Sequence, residues 1–101
     1  MDRNLKTVLE VNGEGVELNR FAGQFLALTV LGADSSLKGG EDIRDLELAL
    51  KQGSVTITVN GGDLPLTPFP EGIIANTITG LVSSLKGIGR IDSLKIKIRA
   101  Q

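Results

Sequence analysis

Residues 35–39 read Ser35-Ser36-Leu37-Lys38-Gly39, and 48 positions later the same five return as Ser83-Ser84-Leu85-Lys86-Gly87. Carrying that shift outward aligns Val11-Asn12-Gly13 with Val59-Asn60-Gly61, Leu18 with Leu66, Phe21 with Phe69, Gly32 with Gly80, Ile43 with Ile91 and Leu46 with Leu94. Between 8–53 and 56–101 no gap is needed, and 15 of the 46 aligned pairs are identical. Self-similarity at a fixed period means each copy is expected to adopt the same supersecondary unit. We therefore read one domain over 1–101, with internal repeats at 6–53 and 54–101.

Each unit opens on a period-two run, Thr7/Leu9/Val11 in one copy and Val55/Ile57/Val59 in the other, the signature of a half-buried strand. Asn-Gly follows in both, the dipeptide best suited to a two-residue hairpin turn, and a short return carries Val16/Leu18 or Leu64/Leu66. Asn19 and Thr67 then stand as N-caps, the latter before Pro68, and open helices expected to run to about Leu37 and Leu85. Lys38/Gly39 and Lys86/Gly87 supply the cation and the glycine that helix C-termini favour. A final alternation, Leu46/Leu48/Leu50 or Leu94/Ile96/Ile98, completes a ββαβ unit.

The helices have two apolar stripes. Leu26, Val30, Ala33 and Leu37 form one, with Ile74, Ile78, Leu81 and Leu85 their counterparts; Phe21, Phe25, Leu28 and Gly32 form another, roughly opposite. One stripe covers a sheet. For the other, the expected partner is the equivalent helix, with Gly32 and Gly80 allowing close backbone approach. The expected fold is α+β with pseudo-two-fold symmetry, two helices packed together on a shared sheet. The alternative is a six-stranded barrel with the helices outside, a pattern similar to that of double-psi and related cradle-loop barrels.

Two signals bear on strand order. The link Gln52-Gly53-Ser54 is short enough to send the last strand of the first unit straight back as the first strand of the second. Asp45, Glu47 and Lys51 would face Arg99, Lys97 and Ser93 if the two final strands paired antiparallel. The short link is the stronger of the two.

Composition removes whole classes of chemistry. The chain has no Cys and no His, so disulfides, thiolate nucleophiles, imidazole bases and the common zinc and haem constellations are excluded. No basic-then-apolar leader opens the sequence, and the uncharged stretch 21–33 is too short to span a bilayer, so a cytoplasmic protein without membrane association is expected. Net charge is −1, but residues 1–53 carry −3 and residues 54–101 carry +2.

Ser35-x-x-Lys38 and Ser83-x-x-Lys86 share the nucleophile–base spacing of serine β-lactamases but close helices instead of opening them, and read as caps. Gly13-Glu14-Gly15 and Gly87-Ile88-Gly89 complete no phosphate-binding pattern and read as turns. Glu41, Asp42 and Asp45 have oxygens suited to Mg²⁺ or Ca²⁺, yet the second copy offers Gly89, Arg90 and Ser93 there, and a solvated loop is the better reading. No catalytic residue, metal site or cofactor is expected.

Two binding surfaces come out of the pattern. Asn76, where the first copy has Leu28, would place a polar group in an inter-helix groove with Gly80, Ser83, Ser84 and Lys86, suited to a small molecule. Lys95, Lys97 and Arg99 share one sheet face and could contact phosphates, but the chain holds only three Phe and no Trp or Tyr, which argues against single-strand nucleic acid. The leading expectation is a non-enzymatic structural or protein-interaction module whose partner is itself or another protein.

The shared residues, in the second copy Val59-Asn60-Gly61, Leu66-x-Pro68-Phe69, Asn76, Gly80 and Ser83-Ser84-Leu85-Lys86-Gly87, give the unit a resemblance to small uncharacterised archaeal proteins in which a similar unit of about fifty residues occurs once, a length near the lower limit for independent folding. The likeness covers each half nearly whole and implies no activity or substrate. The first copy departs from it at Arg20 and Leu28.

Overall fold

The computed structural model describes residues 5–38, 43–85 and 87–100, with the side chains of 34–38 left undescribed. Strands β1 (Leu5–Val11) and β2 (Glu14–Val16) lead into helix α1 (Arg20–Lys38). Strands β3 (Asp45–Lys51), β4 (Ser54–Val59) and β5 (Gly62–Leu64) lead into helix α2 (Pro68–Ser83), and β6 (Ser93–Ala100) ends the chain. All strands join one antiparallel sheet in the order β2-β1-β6-β3-β4-β5. The sheet is open at β2 and β5, so the barrel alternative is corrected: a closed barrel would need those three-residue edge strands to pair with each other, and they lie at opposite ends.

The short link and the charge register are both realised, because a strand has two edges. β3 turns back into β4 through Gln52-Gly53 and on its other side pairs with β6, with Asp45 opposite Arg99, Glu47 opposite Lys97 and Lys51 opposite Ser93. Read from the residues, these looked like competing clues; they describe opposite sides of one strand.

Alternation decides what each strand buries. Leu9, Val11, Leu46, Leu48, Leu50, Val55, Ile57, Val59, Leu94, Ile96 and Ile98 turn to one face and are all buried. α1 adds Leu26, Ala27, Val30 and Leu31 to the same core, and α2 adds Ile74, Ala75, Ile78 and Val82. The opposite face, with Lys6, Glu10, Asp45, Glu47, Lys97 and Arg99, meets solvent, as antiparallel sheets allow. Overall extents of 35 × 32 × 19 Å fit one sheet plus one helical layer.

Three two-residue turns share one geometry. Asn12-Gly13, Gln52-Gly53 and Asn60-Gly61 all have positive φ at both positions, 53° and 83°, 51° and 81°, 50° and 85°. This is the hairpin turn whose twist matches the strands. Asn tolerates the left-handed region and Gln does so less readily. Gln52→Asn is therefore expected to raise stability by about 0.5 kcal/mol, read as a higher denaturant midpoint with unchanged slope.

The asparagines do more than turn. Asn12 Oδ1 accepts from the Asp92 and Ser93 amides at 2.7 and 3.0 Å, and its Nδ2 donates to the Arg90 carbonyl at 2.8 Å. Asn60 Oδ1 accepts from the Arg44 and Asp45 amides at 2.8 and 3.0 Å. Each turn thus latches the chain segment entering the strand beside it.

At the helix starts, Asn19 Oδ1 accepts from the Ala22 amide at 2.7 Å, as an N-cap should. Thr67 occupies the same position before Pro68, but its side chain makes no capping bond. α2 ends at Ser83, two residues short of the expected Leu85, and its tail tightens into bonds from the Ser84 amide to the Leu81 carbonyl and from the Leu85 amide to the Val82 carbonyl. Lys86, Gly39, Glu41 and Asp42 lie outside the described residues.

Glu71, in the first turn of α2, reaches down to the sheet: its Oε2 accepts from the Val55 amide at 2.8 Å. β5 pairs with β4 only from Ile57 to Val59, so the Val55 amide lies on the outer edge past the end of β5 and would otherwise lack a protein partner. Hydrogen bonds to charged acceptors contribute about 1.5–3 kcal/mol. Glu71→Ala is expected to cost about 2 kcal/mol and Glu71→Gln less, measured by denaturant titration.

Candidate functional site

The helical layer carries the features that a folded core does not explain. Burying Leu26, Ala27, Val30 and Leu31 orients α1 so that the second stripe, one half-turn away, points outward. Phe21, Phe25 and Leu28 are 74%, 48% and 56% exposed, and Phe69 and Ile73 on α2 are 77% and 50% exposed. The Phe21 and Phe25 rings touch each other, with centroids 5.7 Å apart and planes tilted by 51°.

The expectation that these stripes pack against each other within the chain is corrected. An ideal Cβ placed on Gly32 or Gly80 would meet no atom within 4 Å, so no backbone closes on either glycine. The reason lies in the sheet. α1 rests on β1 and α2 on β4, and β6 and β3 lie between those strands. Three strand spacings amount to about 14 Å, beyond the roughly 8–10 Å at which helices pack. The helices approach each other only locally, leaving a groove lined by Phe21, Ala22, Phe25 and Leu26 on one side and Leu81, Val82, Ser84 and Leu85 on the other.

That groove is apolar and small, ≈ 280 Å³. Among the described residues its one side-chain polar group, the Ser84 hydroxyl, is already engaged with the Gly80 carbonyl at 3.0 Å. Asn76 and Gly80 are exposed and line a different cleft, with Thr79, Leu50, Gln52, Ile91 and Asp92. The Ser83 hydroxyl donates to the Thr79 carbonyl at 2.6 Å, a local bond within α2. Of the five residues expected to form one polar inter-helix site, only Ser84 lines the groove, and Lys86 lies outside the described residues.

The basic strand is brought onto the open sheet face as expected. Arg99 Nε donates to Asp45 Oδ1 at 3.1 Å, and Lys95 Nζ stands 3.9 Å from Glu47 Oε2. Lys97 has Glu47 opposite on β3 and Val8 opposite on β1. Two of the three cations are thus partnered by the acidic strand β3, and all the aromatic rings belong to the helices on the other side of the sheet. A stacking platform for bases is not assembled.

Among the described residues no group of three acidic side chains could hold a metal ion, and no helix is long and apolar enough to cross a membrane. Sequence reading missed the Glu71–Val55 link and the latching role of Asn12 and Asn60. The recurrence of Asn, where Asp or Gly would also turn, was the available signal for the second; the first joins residues 16 apart through a contact without a motif. Comparison with protein families, with curated proteins and with solved structures finds no match for this chain.

Proposed function

We propose that this chain is a non-enzymatic protein-interaction module that self-associates through the outer face of its helical layer. The observation carrying this reading is that all three Phe of the chain, with Leu28 and Ile73, are about half exposed or more on that one layer. Together they present roughly 500–600 Å² of side-chain surface, at the upper end of the apolar exposure found on monomers, where such surface is often functional. Doubling the area reaches the roughly 1,000 Å² at which specific interfaces begin.

A second copy is the occupant the arrangement favours, because the chain is read as an internal duplication related by a pseudo-two-fold axis. Strand order reads the same when β1, β2 and β3 are exchanged with β4, β5 and β6. Leu9 opposite Ile96 becomes Leu48 opposite Ile57, and the Asn12 latch on Asp92 and Ser93 becomes the Asn60 latch on Arg44 and Asp45. An isologous dimer uses the same patch on both subunits, so the exposed apolar side chains of one copy meet those of the other. The dimer places four helices between two sheets, with both charged sheet faces outward.

Sedimentation velocity from about 1 to 200 µM is the test, with a dimer of roughly micromolar Kd expected for an interface of this size. A monomer across that whole range overturns the reading.

A further inference from the structure

The two outer sheet edges differ at one place. Residues of β1 alternate in the direction of their peptide groups: the Asn12 amide donates to Ser93 on the β6 side, so Thr7 and Leu5, an odd number of residues away, turn theirs to the outer edge. β2 pairs with β1 only from Leu9 to Val11, so among the described residues no strand covers that edge at Leu5 and Thr7. The corresponding amide on β4 is Val55, and there Glu71 fills the position with its carboxylate. The residue of α1 at the place of Glu71 is Gly23, which has no side chain to offer. What remains is a notch of ≈ 340 Å³ lined by Leu5, Lys6, Thr7, Leu18, Arg20, Gly23 and Gln24.

We propose that this notch takes a carboxylate from a partner protein, presented by an acidic extended segment that adds to the β1 edge beyond β2. The chain supplies its own template, since the Glu71 carboxylate on the Val55 amide shows what such a notch accepts. Lining charge agrees: Lys6 and Arg20 are exposed there, and none of the described residues that line the notch is a carboxylate. Backbone groups of Leu5 and Thr7 provide the ladder that strand addition uses, with side-chain pockets for specificity. A second copy fits less well, because antiparallel pairing through Leu5 and Thr7 sets Lys6 opposite Lys6, and like charges directly opposite are destabilising.

The test uses the full chain and a blocked, fluorescently labelled peptide alternating valine and glutamate, with a valine–glutamine peptide as its control. Saturable binding of the glutamate peptide is expected, at least about tenfold tighter than the control, as a charge-assisted bond would give. Two substitutions should each weaken it about tenfold or more. Gly23→Glu fills the notch from within, and a Cβ there meets only Leu18 at 3.8 and 4.0 Å, ordinary contact. Thr7→Pro removes the edge amide without touching a ladder bond. Melting gives a readout that needs no ligand and survives misfolding of the proline variant: Gly23→Glu should melt above Gly23→Ala, which controls for helix propensity. Absence of glutamate-peptide binding, binding unchanged by Gly23→Glu, or equal melting of the Glu and Ala variants overturns the proposal.

Discussion

Asn12→Ala is expected to lower stability by about 3 kcal/mol, and Asn60→Ala by a similar amount. Alanine at φ near 50° leaves its preferred region, at roughly 1–2 kcal/mol for a non-glycine residue without Asn's local bonding. The substitution also removes the acceptor of the Asp92 and Ser93 amides and the donor to the Arg90 carbonyl. A typical bond contributes about 1 kcal/mol, and these are exposed enough for water to replace part of the loss. Asn60 Oδ1 likewise accepts two such bonds at the same kind of positive φ, so a comparable loss is expected.

The graded variants make the assignment specific. Asn12→Asp keeps the acceptor and the tolerance for positive φ and should recover most of the loss. Asn12→Gly keeps the turn but not the latch, isolating the hydrogen bonds. The two turns sit at opposite ends of the β6–β3 pair and share no partner, so Asn12→Ala and Asn60→Ala should add to within about 0.5 kcal/mol. Urea titration of the parent and these variants reads all of this; an Asn12→Gly variant as stable as the parent would show that the latch contributes nothing.

Phe21→Asp combined with Phe69→Asp is expected to raise the dimer Kd by a thousandfold or more. Buried aromatic anchors commonly carry about 2 kcal/mol or more each, and every tenfold in Kd corresponds to about 1.4 kcal/mol. Across a two-fold axis the pair of substitutions sets four carboxylates into an apolar interface. Both side chains are about three-quarters exposed in the single chain, so the fold itself should change by only about 0.5 kcal/mol. Sedimentation velocity reads the association and circular dichroism the fold. Parent melting should rise with protein concentration, and the double variant should lose that dependence. A variant that still dimerises would place the interface elsewhere.

Much of the fold was legible in the residues because it depends on local rules. Alternation at Leu46/Leu48/Leu50 and Leu94/Ile96/Ile98 fixes which side chains face inward, and Asn-Gly fixes the hairpins. The charges of Asp45, Glu47, Arg99 and Lys97 even specify the register of β3 on β6. The site was less legible. Asn76 and Gly80 share a helix face with the exposed apolar residues in the periodicity, yet the cleft they line is formed by the Gln52-Gly53 turn and the Ile91-Asp92 segment, which come from distant sequence.

By itself the sequence determined two ββαβ units, their turns, their inward faces and an α+β fold, all consequences of periods of 2 and 3.6 and of the φ preferences of Asn and Gly. Only the tertiary structure decided where the second apolar stripe goes. Inserting β6 and β3 between β1 and β4 sets the strands beneath the two helices about 14 Å apart by strand spacing alone. Helix periodicity carries no information about that distance. The Phe residues that look, from their spacing, like an internal seam are left facing outward, and the surface we assign to partner binding exists because the sheet is too wide for the helices to close over it.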